Sequence, residues 1–266
     1  MKFISLGSGS SGNCYYLSSD KARILIDAGL SIRNLKRLLK EYDIDINTLD
    51  AVFITHDHAD HIKSVGHLAN DHNRLIYATE LVHSGIKRNY CVTSKLTAEH
   101  IRFVQKDVPI LVEDMMVTPF EVPHDSSDCV GYRIDCGGVV FCLITDAGRV
   151  TPVIEQEVSK ANYLVLEANH DEDMLMMGPY PAYLKGRIRS GRGHLCNKSS
   201  AQLLAENATP VLRHVWLCHL SEENNHPELA RKTVEGILRG VGIVPGVDFD
   251  LDILKRKVPS GIYELK

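Results

Sequence analysis

Ala51-Val52-Phe53-Ile54-Thr55-His56-Asp57-His58-Ala59-Asp60-His61 sets an apolar, β-branched run directly against four side chains of metal-ligand type. The run reads as a strand. His56, His58, Asp60 and His61 then arrive within six residues, and imidazole with carboxylate is the donor set of zinc, manganese and iron sites. In an extended loop, alternate residues put His56 and His58 on one side. Asp60 and His61, opening the next helix, can face a second ion. A solvated histidine-rich loop is the bland alternative.

Six residues cannot complete two coordination shells, so further ligands are expected at later strand ends. His124 follows Glu121-Val122-Pro123, Asp146 follows Val139 to Ile144, and His219 follows Val215-Trp216-Leu217-Cys218. Each is polar at the end of an apolar run, where site residues collect. Taken singly each could cap or pack; behind the first motif they point to metal.

The 266 residues are 44% hydrophobic, enough for one sizeable α/β core, and neither repeat nor low-complexity tract divides them. A single domain over 1–266 is expected. Strands are read at Lys2 to Leu6, Tyr15 to Leu17, Arg23 to Ile26, Ala51 to Ile54, Met116 to Val122, Val130 to Ile134, Val139 to Ile144, Tyr163 to Leu166 and Val211 to Leu217. Helical patterns occupy Ser31 to Glu41, Asn197 to Glu206 and Pro227 to Leu238. Hairpins mixed with helices in the first half, then alternating strands and helices, suit two packed sheets with helices outside. Seven cysteines with no CxxC pair suggest reduced thiols in the cytoplasm. No signal peptide is read at Met1 to Gly9, and no apolar run approaches the roughly 20 residues that span a bilayer. The net charge of −4 leaves room for a local basic patch.

His56-Xaa-His58-Xaa-Asp60-His61 with His124, Asp146 and His219 in that order resembles the metallo-β-lactamase superfamily. More narrowly, Gly7-Ser8-Gly9-Ser10-Ser11-Gly12-Asn13, Glu167-Ala168-Asn169-His170-Asp171, Gly193-His194-Leu195-Cys196-Asn197 and His219-Leu220-Ser221 are similar to its YycJ/WalJ subfamily. Cys196 departs from that pattern, which carries serine there. The resemblance implies an αββα four-layer sandwich and two divalent ions. One would be held by His56, His58 and His124, the other by Asp60, His61 and His219, with Asp146 bridging. It also implies 5′-to-3′ exonuclease action on DNA, with manganese a plausible metal.

His194, ahead of a helix, resembles the non-ligand histidine of ribonuclease Z-like and PhnP-like phosphodiesterases. A histidine titrating near neutrality can protonate an alkoxide leaving group; a helix cap is the alternative. Glu167, at a strand end, could hold its tautomer. Lys185, Arg187, Arg189 and Arg192 lie within ten residues of His194, cannot all share one helix face, and are candidates for positioning a phosphate backbone. Lys255-Arg256-Lys257 reads as ordinary surface. The loop Gly7 to Asn13 suits a tight turn or an anion nest, and the resemblance puts it beside the site. Tyr90, Tyr132 and Tyr180 could stack bases, but single tyrosines are more often packing residues, and they are assigned nothing.

The expected chemistry is phosphodiester hydrolysis by a hydroxide held between two ions, with Asp60 among the catalytic groups and His194 as acid. The alternatives are an RNA or small cyclic phosphate substrate, thioester or lactam hydrolysis, and a metal-binding sensor without catalysis. No membrane partner is expected.

Overall fold

A computed structural model describes all of residues 1–266. Two seven-stranded sheets lie face to face. Across the first the order is Tyr263–Glu264, Lys2–Gly7, Cys14–Ser18, Arg23–Ile26, Ala51–Phe53, Ile76–Ala78 and Ile101–Phe103. Across the second it is Asp250–Ile253, His214–Cys218, Tyr163–Glu167, Val139–Ile144, Val130–Cys136, Met115–Glu121 and Ile110–Val112.

The buried apolar residues divide into three clusters, as four layers require. Phe3, Tyr15, Phe53, Tyr132, Phe141 and Trp216 belong to the cluster between the sheets. Leu35, Leu38 and Leu39, on one face of the helix Ile32–Glu41, join outward residues of the first sheet such as Leu25 and Val52. Ala201, Leu204, Val234 and Leu238, from Asn197–Asn207 and Pro227–Gly240, cover the outer face of the second with Leu164, Leu166, Val215 and Leu217. Strand residues alternate between clusters, as Leu164 (outer) and Val165 (inner) do, because side chains on a strand alternate in direction. The αββα sandwich implied by the resemblance is the fold.

Nine strands lie where the apolar runs predict, with shifted ends; the last begins at His214 rather than Val211. Five more, Ile76–Ala78, Ile101–Phe103, Ile110–Val112, Asp250–Ile253 and Tyr263–Glu264, are two to four residues long. Such lengths hold too little alternation to register as a period.

Strand direction is what builds the site. Arg23–Ile26, Ala51–Phe53, Ile76–Ala78 and Ile101–Phe103 run parallel. Val139–Ile144, Tyr163–Glu167, His214–Cys218 and Asp250–Ile253 also run parallel. Within each sheet their carboxyl ends therefore open on one edge, the usual location of ligand sites in such sheets. Asp27, Asp146 and His219 leave their strands in the left-handed region, at φ 62°, 55° and 55°. That conformation is uncommon for residues other than glycine, and its recurrence on one edge marks backbone held by its surroundings.

Three of the predicted helix starts have clear caps. Ser31 accepts from the Asn34 N–H, and the His226 side chain accepts from Glu228 ahead of Pro227. Cys196 caps Asn197–Asn207: its Sγ accepts from the Ser199 N–H at 3.4 Å. A serine hydroxyl would make the same contact, so the departure at this position changes the strength of a cap and leaves its geometry. All seven cysteines are free thiols. No helix is long and apolar enough to cross a membrane.

Candidate active site

The motif strand ends at Phe53, and Thr55 N–H and Oγ1 both donate to the buried Asp27 carboxylate, at 2.8 and 3.0 Å to Oδ1. This anchors the loop that carries the histidines. His58 stands directly before the short helix Ala59–Ile62, which supplies Asp60 and His61. His124, Asp146 and His219 come from the facing sheet, so the two sheets contribute opposite halves of one cluster.

Side-chain donors of His56, His58 and His124 lie within 4.8 Å of one another, and so do those of Asp60, His61 and His219. Asp146 sits between the triads. Its Oδ1 is 3.7 Å from His124 Nε2 and 3.5 Å from His219 Nδ1, and its Oδ2 is 3.3 Å from His61 Nε2. All seven sequence-predicted ligand residues are thus brought together.

Four of the five imidazoles are tied back through Nδ1: His56 to Thr55 Oγ1 (3.0 Å), His61 to Asp27 Oδ2 (2.7 Å), His124 to the Gly193 carbonyl (3.0 Å) and His219 to Glu167 Oε1 (3.0 Å). An outer partner on one ring nitrogen fixes the tautomer and leaves the other nitrogen as a lone-pair donor, as metal-ligating histidines require. Nε2 of His56 and of His219 are buried with no hydrogen-bond partner. Orphaned imidazole nitrogens facing carboxylates fit divalent cations, because burial of such atoms is costly unless something binds them.

The electrostatics agree. Burial, followed by the neighbouring His61 charge, pulls His56 well below the ordinary imidazole pKa, so it is neutral and able to ligate. Burial also opposes protonation of His219, but Asp146, Asp60 and Glu167 overcome it and lift the pKa to about 10. Burial would raise Asp146, yet His219 and His61 hold it well below the carboxylate range. The pocket is rich in negative charge that cations can neutralise.

Glu167 is fully buried and satisfied on both oxygens. Oε2 accepts from the Ala147 and Leu195 N–H groups at 2.8 and 3.1 Å; Oε1 accepts from His194 Nδ1 at 2.8 Å as well as from His219. His194 Nε2 makes no hydrogen bond in the chain, and its side chain is 18% exposed. Burial opposes protonation of His194, but Glu167 and Asp146 raise its pKa above the ordinary value. It is held by Glu167 as a partly accessible imidazole beside the cluster.

The basic segment is organised differently from a set of free phosphate contacts. Lys185 Nζ donates to the Met176 and Gly178 carbonyls, both at 2.8 Å. Arg187 forms a forked pair with Asp125, whose Oδ1 is 3.4 Å from His124 Nε2. Arg192 Nε holds the His124 carbonyl at 3.1 Å. Arg189 is exposed, with one contact to Met176 Sδ. Arg187 and Arg192 therefore brace the mouth of the site, and Arg256 does similar work nearby, donating to the Ser221 carbonyl at 2.9 Å beyond His219.

Residues that sequence reasoning missed supply this bracing. Asp27 is one. Asn13 lies in the glycine-serine loop that the resemblance put beside the site. Its Nδ2 is 2.9 Å from His61 Nε2 and 3.3 Å from Asp60 Oδ2, and Gly9 N–H donates to its Oδ1 at 2.7 Å. Ser8 Oγ accepts from the His219 N–H at 3.0 Å. Asn169 Nδ2 donates to the His219 carbonyl at 2.9 Å.

His170, behind the site, is 2% exposed with Nδ1 unpartnered. Burial lowers its pKa from 6.5 to about 4. A depressed imidazole pKa means that the unfolded chain binds the extra proton, so this contribution to stability is complete above pH 6.5 and is lost as pH falls towards 4. The expected loss is about 3 kcal/mol. Urea denaturation across that window checks it: His170→Gln should flatten the pH dependence, and an unchanged slope would refute the assignment.

Residues 22–219 match the family model described as a beta-lactamase superfamily domain. The chain is 35% identical over 262 residues to exodeoxyribonuclease YycJ of Bacillus anthracis, covering 98% of each chain. It is 36% identical to exodeoxyribonuclease WalJ of Streptococcus pneumoniae, covering 93% of this chain and 92% of that one. Among solved structures, the metallo-beta-lactamase fold protein YhfI of Bacillus subtilis superimposes with a TM-score of 0.72 at 18% identity, over 99% of this chain and 100% of the other.

Proposed function

The chain belongs to the metallo-β-lactamase superfamily and is a metal-dependent hydrolase; from that premise we propose that it hydrolyses phosphodiester bonds of DNA, removing nucleotides in the 5′-to-3′ direction. The carrying observation is His194, an imidazole oriented by Glu167 at 2.8 Å and set beside the ligand cluster without belonging to either triad. An alkoxide leaving group needs a proton donor, whereas the thiolate leaving a thioester departs without one. The names of the two exodeoxyribonuclease relatives support DNA as the substrate.

In this reading His56, His58 and His124 would hold one divalent ion and Asp60, His61 and His219 the other, with Asp146 available to both. When bound, such ions supply Lewis acidity toward the phosphoryl oxygens and lower the pKa of water. Imidazole and carboxylate donors accept manganese, zinc or iron, and we favour manganese. The chain's own groups do the rest. His194 Nε2 delivers the proton to the departing 3′ oxygen, and Glu167 Oε1 balances the imidazolium before transfer and keeps the proton on Nδ1 afterwards. Asp27, Thr55 and Asn13 hold the Asp60–His61 side of the cluster in place.

The experiment is a cleavage assay on linear duplex DNA bearing a 5′-phosphate and a label at either end, with manganese or zinc returned to metal-stripped protein. Stepwise release from the 5′ end, abolished in His58→Ala, is expected. Intact DNA alongside turnover of bis-p-nitrophenyl phosphate would discard the substrate.

A further inference from the structure

The helix Glu80–Arg88 and the turn after it stand beside the metal-ligand motif. Asn89 Nδ2 donates to the Asp57 carbonyl at 2.9 Å, between His56 and His58. Asp57 itself turns away from the cluster: Ser127 donates to its carboxylate through both N–H (3.1 Å) and Oγ (2.6 Å). Arg88 reaches Ser127 Oγ at 3.4 Å, and Lys63 follows the Ala59–Ile62 helix directly. Lys95 Nζ donates to the Asn89 carbonyl at 2.7 Å, which ties this turn together.

Tyr90, on the same turn, is 92% exposed. Single exposed aromatics are common on protein surfaces; this one directly follows Lys87 and Arg88 at the end of their helix. Lys63, Lys87, Arg88 and Lys95 are all exposed. None of the four pairs with a carboxylate, whereas Lys106 and Arg187 are held by Asp128 and Asp125. The chain as a whole carries a net charge of −4, so this concentration of unpaired cations is local.

We propose that this rim is the track of a nucleic-acid strand entering the site, with Lys63, Lys87 and Arg88 along the phosphates and Tyr90 as a stacking platform for a base. A sequence-tolerant enzyme needs this combination: cations follow the backbone and an aromatic face accepts any base. The proposal rests on the nuclease reading above and extends it to a surface outside the cluster. It also shifts the main phosphate contacts away from Lys185 and Arg187, which are engaged within the chain.

The test compares metal-loaded wild type, Tyr90→Ala, Tyr90→Phe and the triple variant Lys63→Gln/Lys87→Gln/Arg88→Gln on single-stranded DNA and on bis-p-nitrophenyl phosphate. Tyr90→Ala should raise KM for DNA about 5- to 100-fold, Tyr90→Phe should stay near wild type, and the ester kinetics should not change. The triple variant should flatten the logarithmic salt dependence of DNA binding by about 2. Wild-type DNA cleavage with both the alanine and the triple variant unaltered overturns the track alone. Wild-type turnover of the ester without any nucleic-acid cleavage overturns the nuclease reading, and the track with it.

Discussion

A His194→Ala variant is expected to load divalent metal as the wild type does and to cleave DNA about 10²- to 10⁴-fold more slowly. Retention of metal is expected because neither triad includes His194, whose nearest donors, Asp146, Glu167 and His219, form a separate group within 4.8 Å. Loss of rate follows from the chemistry of the leaving group: a 3′ oxygen departing as alkoxide needs a proton, and p-nitrophenolate does not. The same substitution should therefore cost much less on bis-p-nitrophenyl phosphate. Metal content by elemental analysis and kcat on the two substrates separate the possibilities. Equal loss on both substrates would rule out proton donation, and loss of metal would make His194 a ligand.

Asp27→Ala is expected to be the most destabilising single change near the site. The side chain is fully buried and accepts from Thr55 N–H, Thr55 Oγ1 and His61 Nδ1. Removing it leaves three buried donors unsatisfied, one of them on an imidazole that Asp60 and Asp146 keep inclined to hold a proton. Breaking a buried pair from one side costs about 3–5 kcal/mol. Loss of the partner that orients a ligand histidine lowers metal affinity about 10- to 100-fold. Urea denaturation and a metal titration read the two effects. A variant as stable as wild type, with unchanged affinity, would show that His61 is positioned by other means.

Asp27 also shows what a sequence exposes and what it hides. Asp146 was found because it ends an apolar strand and precedes Ala147-Gly148. Asp27 ends Arg23–Ile26 and precedes Ala28-Gly29, the same Asp-Ala-Gly pattern, and both aspartates take a left-handed φ. The signal is present twice, and only Asp146 falls within the expected order of ligands. The contiguous motif was legible because one loop carries it, and the distant members because parallel strands all end on one edge. Arg187 is visible as a candidate phosphate contact, but its pairing with Asp125 is not, since it joins segments 62 positions apart and neither residue's neighbours announce it. Tyr90 illustrates the reverse: its type was visible, and its exposure beside unpaired cations could come only from the packing around it.

The donors of the cluster are divided between the sheets, with His56, His58, Asp60 and His61 on one and His124, Asp146 and His219 on the other. Each proposed triad takes members from both. A cation shared in this way is a cross-link over a long loop of chain: it opposes separation of the two halves of the sandwich as much as it serves chemistry, and its binding energy is in part folding energy. The enzyme's endurance to heat and proteolysis thereby becomes a function of metal supply.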